Sequence, residues 1–443
     1  MALFGTDGVR GVANRDLTPE LAYQLGRAGA HILARTTARP TITVGRDTRI
    51  SGDMLQAALT AGLCSVGANV INLGILPTPA LAYLTKALGA TAGAMISASH
   101  NPFGDNGIKF FAANGYKLPD AVELEIEKLV AAGADNLPRP TGDGIGQVAD
   151  QPEAINLYLE SVRSTVNTSL AGIKVVVDCA NGAASAVAPR LLESLGMQVF
   201  PIFNLPDGVN INAGCGSTHP EALCRAVVDK GADLGLAFDG DADRVLAVDA
   251  QGNLVDGDQI LVAWALDLQQ RQKLAGNTVV VTVMSNLGLF QALERAGIQT
   301  KRTKVGDRYV LEEMLNSGAV LGGEQSGHII FLEHNTTGDG LLTGLQLIRI
   351  MAASSRSLGQ LAVQMTKFPQ VLVNVRVKDK AKAAAAPALL EALARAEAIL
   401  GNQGRLLVRP SGTEPLIRIM AEGPDQAQLE QLVGEIAQVA KRL

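Results

Sequence analysis

A repeated pattern constrains the fold of this 443-residue chain more than any other feature of its sequence. In each repeat, an apolar strand-like run ends in a polar turn and is followed by a helix-like stretch. Two of these runs are similar, VVVDCANG at 175–182 and VVVTVMSN at 279–286. Strands that alternate with helices are typical of βαβ units. The pattern therefore predicts three related α/β domains with mixed, largely parallel sheets.

The C-terminal part of the chain has a different pattern. After about Lys367, short strand-like runs accompany an alanine-rich stretch over 381–400, which predicts a helix, and a final helix from Asp425. This order is typical of a smaller α+β domain. A stretch over 133–150 is rich in Gly, Pro and Asp and marks the first boundary. We therefore expect α/β domains over 1–152, 153–251 and 252–367, and an α+β domain over 368–443.

Composition argues against several classes of protein. The formal net charge is -5 and the sequence has no long block of Lys or Arg, which argues against a nucleic-acid-binding protein. No run approaches about 18 uninterrupted apolar residues, so we expect no membrane-spanning helix and no membrane partner. The four cysteines form no C-x-x-C pair and no zinc pattern, and reduced thiols are typical of a cytoplasmic protein.

The stretch AMISASHNPFGDNGIKFF, over 94–111, joins a small apolar strand to a polar loop. The Asn-Pro pair marks a turn, because residues before a proline avoid the helical region. Ser99 is therefore expected at a strand tip, where a serine hydroxyl can act as a nucleophile or carry a phosphate. Taken alone, this stretch is better explained by a polar turn whose serines bind their own backbone, and the three motifs further along the chain reverse that preference.

Three carboxylates follow the apolar run LGLAF, at Asp239, Asp241 and Asp243. Such a group is too repulsive to gather without a cation, and a hard dication such as Mg²⁺ prefers oxygen ligands. The spacing also begins like an EF-hand, but Arg244 and Ala250 stand where that loop needs Gly and Glu. A metal site and a solvated acidic turn are the two interpretations.

Two further loops carry groups suited to a phosphorylated sugar. GGEQSGH, over 322–328, offers Glu324 and Ser326 to hydroxyl groups, and His328 could titrate near neutrality. RPSGTEP, over 409–415, offers guanidinium, hydroxyl and backbone donors to one phosphate. The alternatives are a polar β-turn and a capped turn before a strand. Isolated cations at Arg10, Lys109 and Lys304 could neutralise phosphate charge or lie on the surface.

Together these motifs resemble the α-D-phosphohexomutase superfamily over essentially the whole chain. SASHNP resembles its phosphoserine loop, DGDADR its magnesium loop, GEQSGH its sugar loop and RPSGTEP its phosphate loop. FGTDGVRG, KVGDRYV and HNTTGDGLLTGL look most like the phosphoglucosamine mutase branch, rather than the phosphoglucomutase or phosphomannomutase branches. Gly104 departs from the pattern, because many members carry a larger residue there.

The resemblance implies four domains around one cleft, and an isomerase that interconverts glucosamine 6-phosphate and glucosamine 1-phosphate through a bound bisphosphate. That reaction supplies the synthesis of amino-sugar nucleotides and cell-wall precursors. It implies a phosphorylated amino sugar as substrate, one Mg²⁺ per chain, a hexose 1,6-bisphosphate as activator, and a homodimer as one assembly to test. The implied residues are Ser99 as phosphoserine, Arg10, His100, Lys109 and His328 for catalysis, Ser99, Asp239, Asp241 and Asp243 for the metal, Arg244, Lys304, Glu324 and Ser326 for the substrate, and Arg409, Ser411, Gly412, Thr413 and Arg418 for phosphate.

Other functions remain open at this point. A metal-dependent sugar phosphatase would use the same phosphoserine but admit water, whereas a mutase must exclude it. A non-catalytic sugar-phosphate-binding protein would need neither Ser99 nor the three aspartates. Within the mutases, glucose phosphate and mannose phosphate are the alternative substrates, because residue types alone do not report selectivity for the amino group.

Overall fold

The structure is a computed structural model, and it describes residues 3–5, 7–33, 35, 37, 39–133, 136–410 and 416–443. The strands are Val9–Val12 (β1), Thr41–Arg46 (β2), Asn69–Ile75 (β3), Ala92–Ile96 (β4), Asp105–Ala112 (β5), Val148–Asp150 (β6), Lys174–Asp178 (β7), Gln198–Ile202 (β8), Leu234–Phe238 (β9), Val245–Asp249 (β10), Leu254–Val255 (β11), Thr278–Thr282 (β12), Gln299–Thr303 (β13), Leu321–Gly323 (β14), Ile329–Phe331 (β15), Gln370–Arg376 (β16), Arg405–Pro410 (β17) and Leu416–Glu422 (β18). The helices are Pro19–Leu33 (α1), Gly52–Ser65 (α2), Thr78–Ala87 (α3), Asp120–Ala131 (α4), Ile155–Ser164 (α5), Ala188–Ser194 (α6), Glu221–Lys230 (α7), Gly257–Gln270 (α8), Leu287–Arg295 (α9), Asp307–Ser317 (α10), Gly340–Ser354 (α11), Leu358–Ala362 (α12), Lys380–Ala384 (α13), Pro387–Leu400 (α14) and Gln426–Lys441 (α15).

The chain divides into two compact units. The first comprises residues 1–283 and 299–363, and the second comprises residues 284–298 and 364–443. No helix in the described part of the chain combines the length and the apolar character that crossing a membrane requires.

The first unit contains three sheets that repeat one arrangement. Within the described ranges their strand orders are β1-β5-β4-β2-β3-β6, β11-β10-β9-β7-β8 and β13-β12-β14-β15. In each sheet a central strand, β2, β7 or β12, pairs in parallel with both of its neighbours. An antiparallel strand then follows, β5 beside β4, β10 beside β9 and β15 beside β14. The mixed, largely parallel sheets confirm the predicted fold class.

A loop occupies the same topological position in each of these sheets. It leaves the end of a parallel strand and enters the antiparallel strand beside it. The three loops span residues 97–104, 239–244 and 324–328, and each follows a fully buried strand, β4, β9 or β14. Equivalent positions in the three sheets therefore carry the SASHNP, DGDADR and GEQSGH motifs.

The second unit is built on an antiparallel sheet of order β16-β18-β17, counted among the described residues. Its core joins side chains of α14, α15 and β18, including Leu389, Val433 and Ile419. The predicted single helix over 381–400 is wrong, because α13 ends at Ala384 and α14 begins at Pro387. Proline favours the first turn of a helix and forces the residue before it into an extended conformation.

Candidate active site

Ser99 lies in the loop that follows β4, and its side chain is buried. Its backbone has a φ of 53°, in the left-handed region that residues other than glycine rarely adopt. The Ser99 N–H donates a hydrogen bond to Ser97 Oγ at 2.9 Å, and the Ser99 hydroxyl donates to Asp239 Oδ2 at 2.6 Å. The loop therefore aims the hydroxyl at the carboxylates that follow β9. Strain of this kind is concentrated at functional sites.

The three aspartates of DGDADR converge on one point. One ligand atom from each of Asp239, Asp241 and Asp243 lies within 4.8 Å of the others, and all three side chains are buried. Burial raises the pKa of Asp239 and of Asp243, and the neighbouring carboxylates raise both further. Negative charge is therefore crowded at this point.

Asp241 behaves differently from its two neighbours. Burial alone would raise the pKa of Asp241, but Lys109 and Thr78 lower it below its usual range. Lys109 Nζ lies 3.1 Å from Asp241 Oδ2, and the Thr78 hydroxyl donates to the same oxygen at 2.6 Å. Both partners contact Oδ2 of Asp241, and neither donates a hydrogen bond to Oδ1.

The residues present fit a divalent cation. In the described part of the chain, the buried Asp241 Oδ1 and Asp243 Oδ1 accept no hydrogen bond. A buried carboxylate oxygen without a donor is costly, and a hard cation with oxygen ligands removes that cost. The three aspartates could therefore hold a metal ion, with Ser99 Oγ beside them.

A charge network extends from this centre. Lys109 Nζ also lies 3.3 Å from Asp7 Oδ2, and Asp7 accepts from Lys117 Nζ at 2.7 Å. Lys117 in turn pairs with Asp307, and Arg10 pairs with Asp7. Burial would lower the pKa of Lys109, but Asp241 and Asp7 outweigh it and raise that pKa. Lys109 is therefore a fixed positive charge.

Sequence reasoning did not single out Asp7, Lys117, Asp307 or Thr78. Asp7 lies within FGTDGVRG and Asp307 within KVGDRYV, two motifs on which the family resemblance rests, so a signal for these aspartates was present. Lys117 and Thr78 carry no comparable signal. Their roles depend on contacts between residues far apart in the sequence.

His328 is buried beside this network. Its Nε2 lies 3.5 Å from Asp307 Oδ2 and 3.9 Å from Asp243 Oδ2, and its backbone forms an antiparallel bridge with Arg244. Gly338 lies against the face of the imidazole ring, where any Cβ would collide with it. Among the described residues, no group makes a hydrogen bond to either ring nitrogen.

His100 and Arg244 flank the serine and the aspartates. His100 Nδ1 lies 3.4 Å from Ser99 Oγ. Burial lowers the pKa of His100 to about 4, assisted by Arg244 and Arg10, so this imidazole is neutral at neutral pH. Burial would lower the pKa of Arg244, but Asp243 and Asp239 raise it.

The sugar-loop residues lie on the next hairpin. Glu324 Oε1 accepts a hydrogen bond from the Gly306 N–H at 3.0 Å, which joins this loop to KVGDRYV. The hydroxyl of Ser326 is buried without a hydrogen-bond partner in the described ranges. Lys304 is exposed and lies 6.0 Å from the centroid of the Tyr309 ring. The structure gives Lys304 no contact with the aspartates.

The predicted phosphate-binding residues belong to the second unit. Arg409 on β17 and Arg418 on β18 lie directly opposite each other across the antiparallel pair, and both are half-buried. Partial burial lowers the pKa of Arg409, and Arg418 lowers it further. Ser411, Gly412 and Thr413 lie outside the described residues.

Family models match almost the whole chain. They describe phosphoglucomutase/phosphomannomutase alpha/beta/alpha domain I over residues 1–136, domain II over 156–252, domain III over 256–368 and the C-terminal domain over 372–439.

Relatives and solved structures agree with these models. A phosphoglucosamine mutase of Desulforamulus reducens is 62% identical, over 99% of this chain and 98% of its own. A phosphoglucomutase/phosphomannomutase family protein from Burkholderia thailandensis has a TM-score of 0.83 at 26% identity, covering 100% of this chain and 97% of its own. An N-acetylphosphoglucosamine mutase of Aspergillus fumigatus, solved with GlcNAc-6P and magnesium, shares the fold at a TM-score of 0.71 and 20% identity, covering 99% of this chain and 95% of its own. The chain therefore belongs to the phosphoglucomutase/phosphomannomutase family, and within it to the phosphoglucosamine mutases.

Proposed function

We propose that this chain interconverts glucosamine 6-phosphate and glucosamine 1-phosphate through a phosphorylated Ser99. The observation that carries the proposal is the hydrogen bond from the Ser99 hydroxyl to Asp239, inside a cluster of three buried carboxylates. A serine at that point can carry a phosphoryl group between two positions of one sugar. The 62% identity to a phosphoglucosamine mutase supports the choice of amino sugar.

The proposed metal is one Mg²⁺ per chain, held by Asp239, Asp241, Asp243 and an oxygen on Ser99. When bound, the ion would neutralise negative charge on the phosphoryl group. Lys109 and Arg244 supply fixed positive charge beside it. A phosphoserine carries about −1.5 to −2 charges at neutral pH, so these cations favour its presence in a buried site.

The chemistry is a pair of phosphoryl transfers. In the first, the sugar hydroxyl attacks the phosphorus of phospho-Ser99, the bond from phosphorus to Ser99 Oγ breaks, and glucosamine 1,6-bisphosphate forms. The bisphosphate then reorients without leaving and returns its other phosphoryl group to Ser99. A hexose 1,6-bisphosphate would activate unphosphorylated enzyme by running the second transfer alone.

Each transfer moves one proton from or to a sugar hydroxyl. His328 is a candidate for this role, because both ring nitrogens lack hydrogen-bond partners among the described residues and Asp307 lies close enough to stabilise an imidazolium. Lys109 is a poor base because its raised pKa keeps it protonated. Arg10 would stabilise charge, since a guanidinium does not give up its proton readily. His100 stays neutral beside Ser99 Oγ.

Other residues would bind the sugar and its second phosphate. Glu324, Ser326, Arg244 and Lys304 are proposed to contact the sugar. Arg409 and Arg418, together with Ser411, Gly412 and Thr413, are proposed to grip the phosphate that is not reacting. We place the reaction in the cytoplasm, and the free thiols of all four cysteines support this location. We propose a homodimer as the assembly to test, and size-exclusion chromatography with light scattering measures it.

The test is turnover with Mg²⁺ and a hexose bisphosphate activator. Glucosamine 6-phosphate, glucose 6-phosphate and mannose 6-phosphate are compared, with Ser99→Ala as the control. We expect preference for the amino sugar and a loss of roughly a thousandfold or more in the variant. Preference for glucose or mannose phosphate would overturn the substrate, and near-normal turnover of Ser99→Ala would overturn the phosphoserine.

A further inference from the structure

The backbone around Ser99 is held by two side chains that the proposed reaction does not use. Arg49 follows β2 and is fully buried, with its guanidinium turned towards the Ser99 loop. Its Nη2 donates to the carbonyls of Ser99 at 2.9 Å and Asn101 at 2.8 Å. Its Nη1 donates to the carbonyls of Pro102 and Asp105. One side chain therefore binds most of the turn.

A second side chain binds the same carbonyls from the neighbouring sheet. Asn212 Nδ2 donates to the Ser99 carbonyl at 2.9 Å and to the Asn101 carbonyl at 3.1 Å. A Cβ at Gly240 would lie 2.5 Å from the Ser99 carbonyl oxygen and 2.8 Å from Asn212 Nδ2. Gly240, inside the metal loop, thus leaves the space that this hydrogen bond needs.

Further hydrogen bonds hold the Arg49 side chain and the Asn212 backbone. Arg49 Nε donates to Asp47 Oδ2 at 2.9 Å, and Asp47 Oδ2 also accepts from Ser97 Oγ, the group that binds the Ser99 N–H. The Asn212 N–H donates to the Ala180 carbonyl at 2.9 Å. The Ala180 N–H in turn donates to Asp178 Oδ1 at 2.9 Å.

These supports come from equivalent places in two sheets. Asp47 and Arg49 follow β2, and Asp178 and Ala180 lie at the end of β7 and just beyond it; β2 and β7 are the strands with two parallel neighbours in the first two sheets. The VVVDCANG motif has no part in the proposed chemistry, but it has a structural role in positioning Ser99. Its Ala180 binds the backbone of Asn212, and the Asn212 side chain binds the Ser99 loop of the neighbouring sheet.

We propose that Arg49 and Asn212 are positioning residues that act together on the Ser99 and Asn101 carbonyls and hold Ser99 in its left-handed conformation, with the hydroxyl directed at Asp239. The reason is geometric. A left-handed serine is strained and persists only where its surroundings over-determine it. Two donors on the same two carbonyls supply that constraint. This inference rests on the proposed phosphoserine role.

The test uses Arg49→Lys and Asn212→Gly. Lysine keeps the charge opposite Asp47 but cannot bridge several carbonyls, because it lacks the planar fork of donors. Glycine removes the amide of Asn212 but tolerates its φ of 57°. The matched controls are Arg46→Lys on the same segment, where Arg46 binds Gln56 and Asp53, and Asn14→Gly, at an exposed asparagine with a φ of 61°.

We expect kcat to fall by roughly tenfold to a hundredfold in both test variants, because small misplacements of a reacting group have large effects on rate. At a temperature well below the thermal midpoint of each variant, KM for glucosamine 6-phosphate should change little, and both controls should keep kcat within about twofold of the parent. Unchanged kcat in either test variant, or a loss of kcat that matches the fraction of unfolded enzyme at the assay temperature, would overturn the inference. If Arg49→Lys does not fold, Asn212→Gly decides alone.

The same assay separates this inference from the proposed function. An inactive Ser99→Ala with normal Arg49→Lys and Asn212→Gly variants would overturn only the positioning role. An active Ser99→Ala would overturn the phosphoserine mechanism itself.

Discussion

Two regions of this molecule gather side chains of like charge, and they do so in different ways. In the first unit, three carboxylates at Asp239, Asp241 and Asp243 converge within 4.8 Å and are buried. In the second unit, Arg409 and Arg418 oppose each other across two strands and remain half-buried. Like charges in such positions repel, so each region favours a ligand of the opposite charge.

From the difference in burial we infer what kind of ligand each region would take. The carboxylates are braced by Thr78, Lys109 and Ser99, which suits an ion that stays bound through many turnovers. The two arginines are only half-buried, which suits an anion that enters and leaves with each substrate molecule. The comparison predicts that the two regions can be damaged independently.

The largest effect should follow removal of one carboxylate. We expect Asp243→Asn to weaken Mg²⁺ binding by at least about a hundredfold, because the ion loses a charged ligand. Turnover at low Mg²⁺ should fall with it, while KM for the sugar phosphate should change little. Calorimetric titration with Mg²⁺ measures the first quantity. The control is Asp229→Asn, at an exposed position on α7. If Asp243→Asn binds Mg²⁺ as tightly as this control, Asp243 is not part of the metal site.

A smaller effect should follow truncation in the arginine pair. We expect Arg418→Ala to raise KM roughly tenfold to a hundredfold, since charge-assisted hydrogen bonds contribute about 1.5–3 kcal/mol. Mg²⁺ affinity should be unaffected. Arg395→Ala, at an exposed position on α14, is the matched loss of a cation in the same unit. An Arg418→Ala enzyme with parental KM would remove this arginine from substrate binding.

A still smaller effect should follow loss of a neutral brace. Thr78→Val removes the donor to Asp241 Oδ2, which helps to hold the pKa of Asp241 low. We expect Mg²⁺ affinity to fall by about tenfold, at the low end of what the loss of such a supporting partner causes, and Thr78→Ser to restore it. If Thr78→Val binds Mg²⁺ as tightly as the parent, the brace does not tune the site.

The smallest effect is the release of a fraction of a proton when Mg²⁺ binds. Burial raises the pKa of Asp239 and of Asp243, so the ion-free site binds protons at pH values where an ordinary carboxyl has lost them. Mg²⁺ must displace these protons, so its apparent affinity should rise with pH and proton release should shrink as pH rises. Calorimetry at about pH 6 and pH 8, in buffers of different ionisation enthalpy, counts the protons that are released. An Mg²⁺ affinity that falls with rising pH would contradict the raised pKa values of Asp239 and Asp243.

Much of the fold follows from the sequence because its strands are strongly patterned. The strand-like runs that begin VVVDCANG and VVVTVMSN form β7 and β12. The antiparallel strands β5, β10 and β15 do not follow from the pattern, because buried strands read as continuous apolar runs whatever their direction. The prediction of one helix across Pro387 failed because the alanines around the break favour a helix and the sequence pattern gave them more weight than the proline.

The candidate site divides in the same way. Ser99 and the aspartates were recognisable because their chemistry needs those residue types at short spacing. Arg49 and Asn212 were not, because an Arg and an Asn in polar turns are ordinary, and only the fold shows that they bind the same two carbonyls. Supports of a site act over long sequence separations, which one sequence does not reveal.

The most direct test follows the phosphoryl group itself. Enzyme labelled with ³²P on Ser99 is mixed with a small excess of glucosamine 6-phosphate and Mg²⁺, and the reaction is stopped within one turnover. We expect the label to leave the protein and to appear in glucosamine bisphosphate and then in glucosamine monophosphate. Label that remains on the protein, or that appears as inorganic phosphate, would contradict it, and the second result would identify a phosphatase.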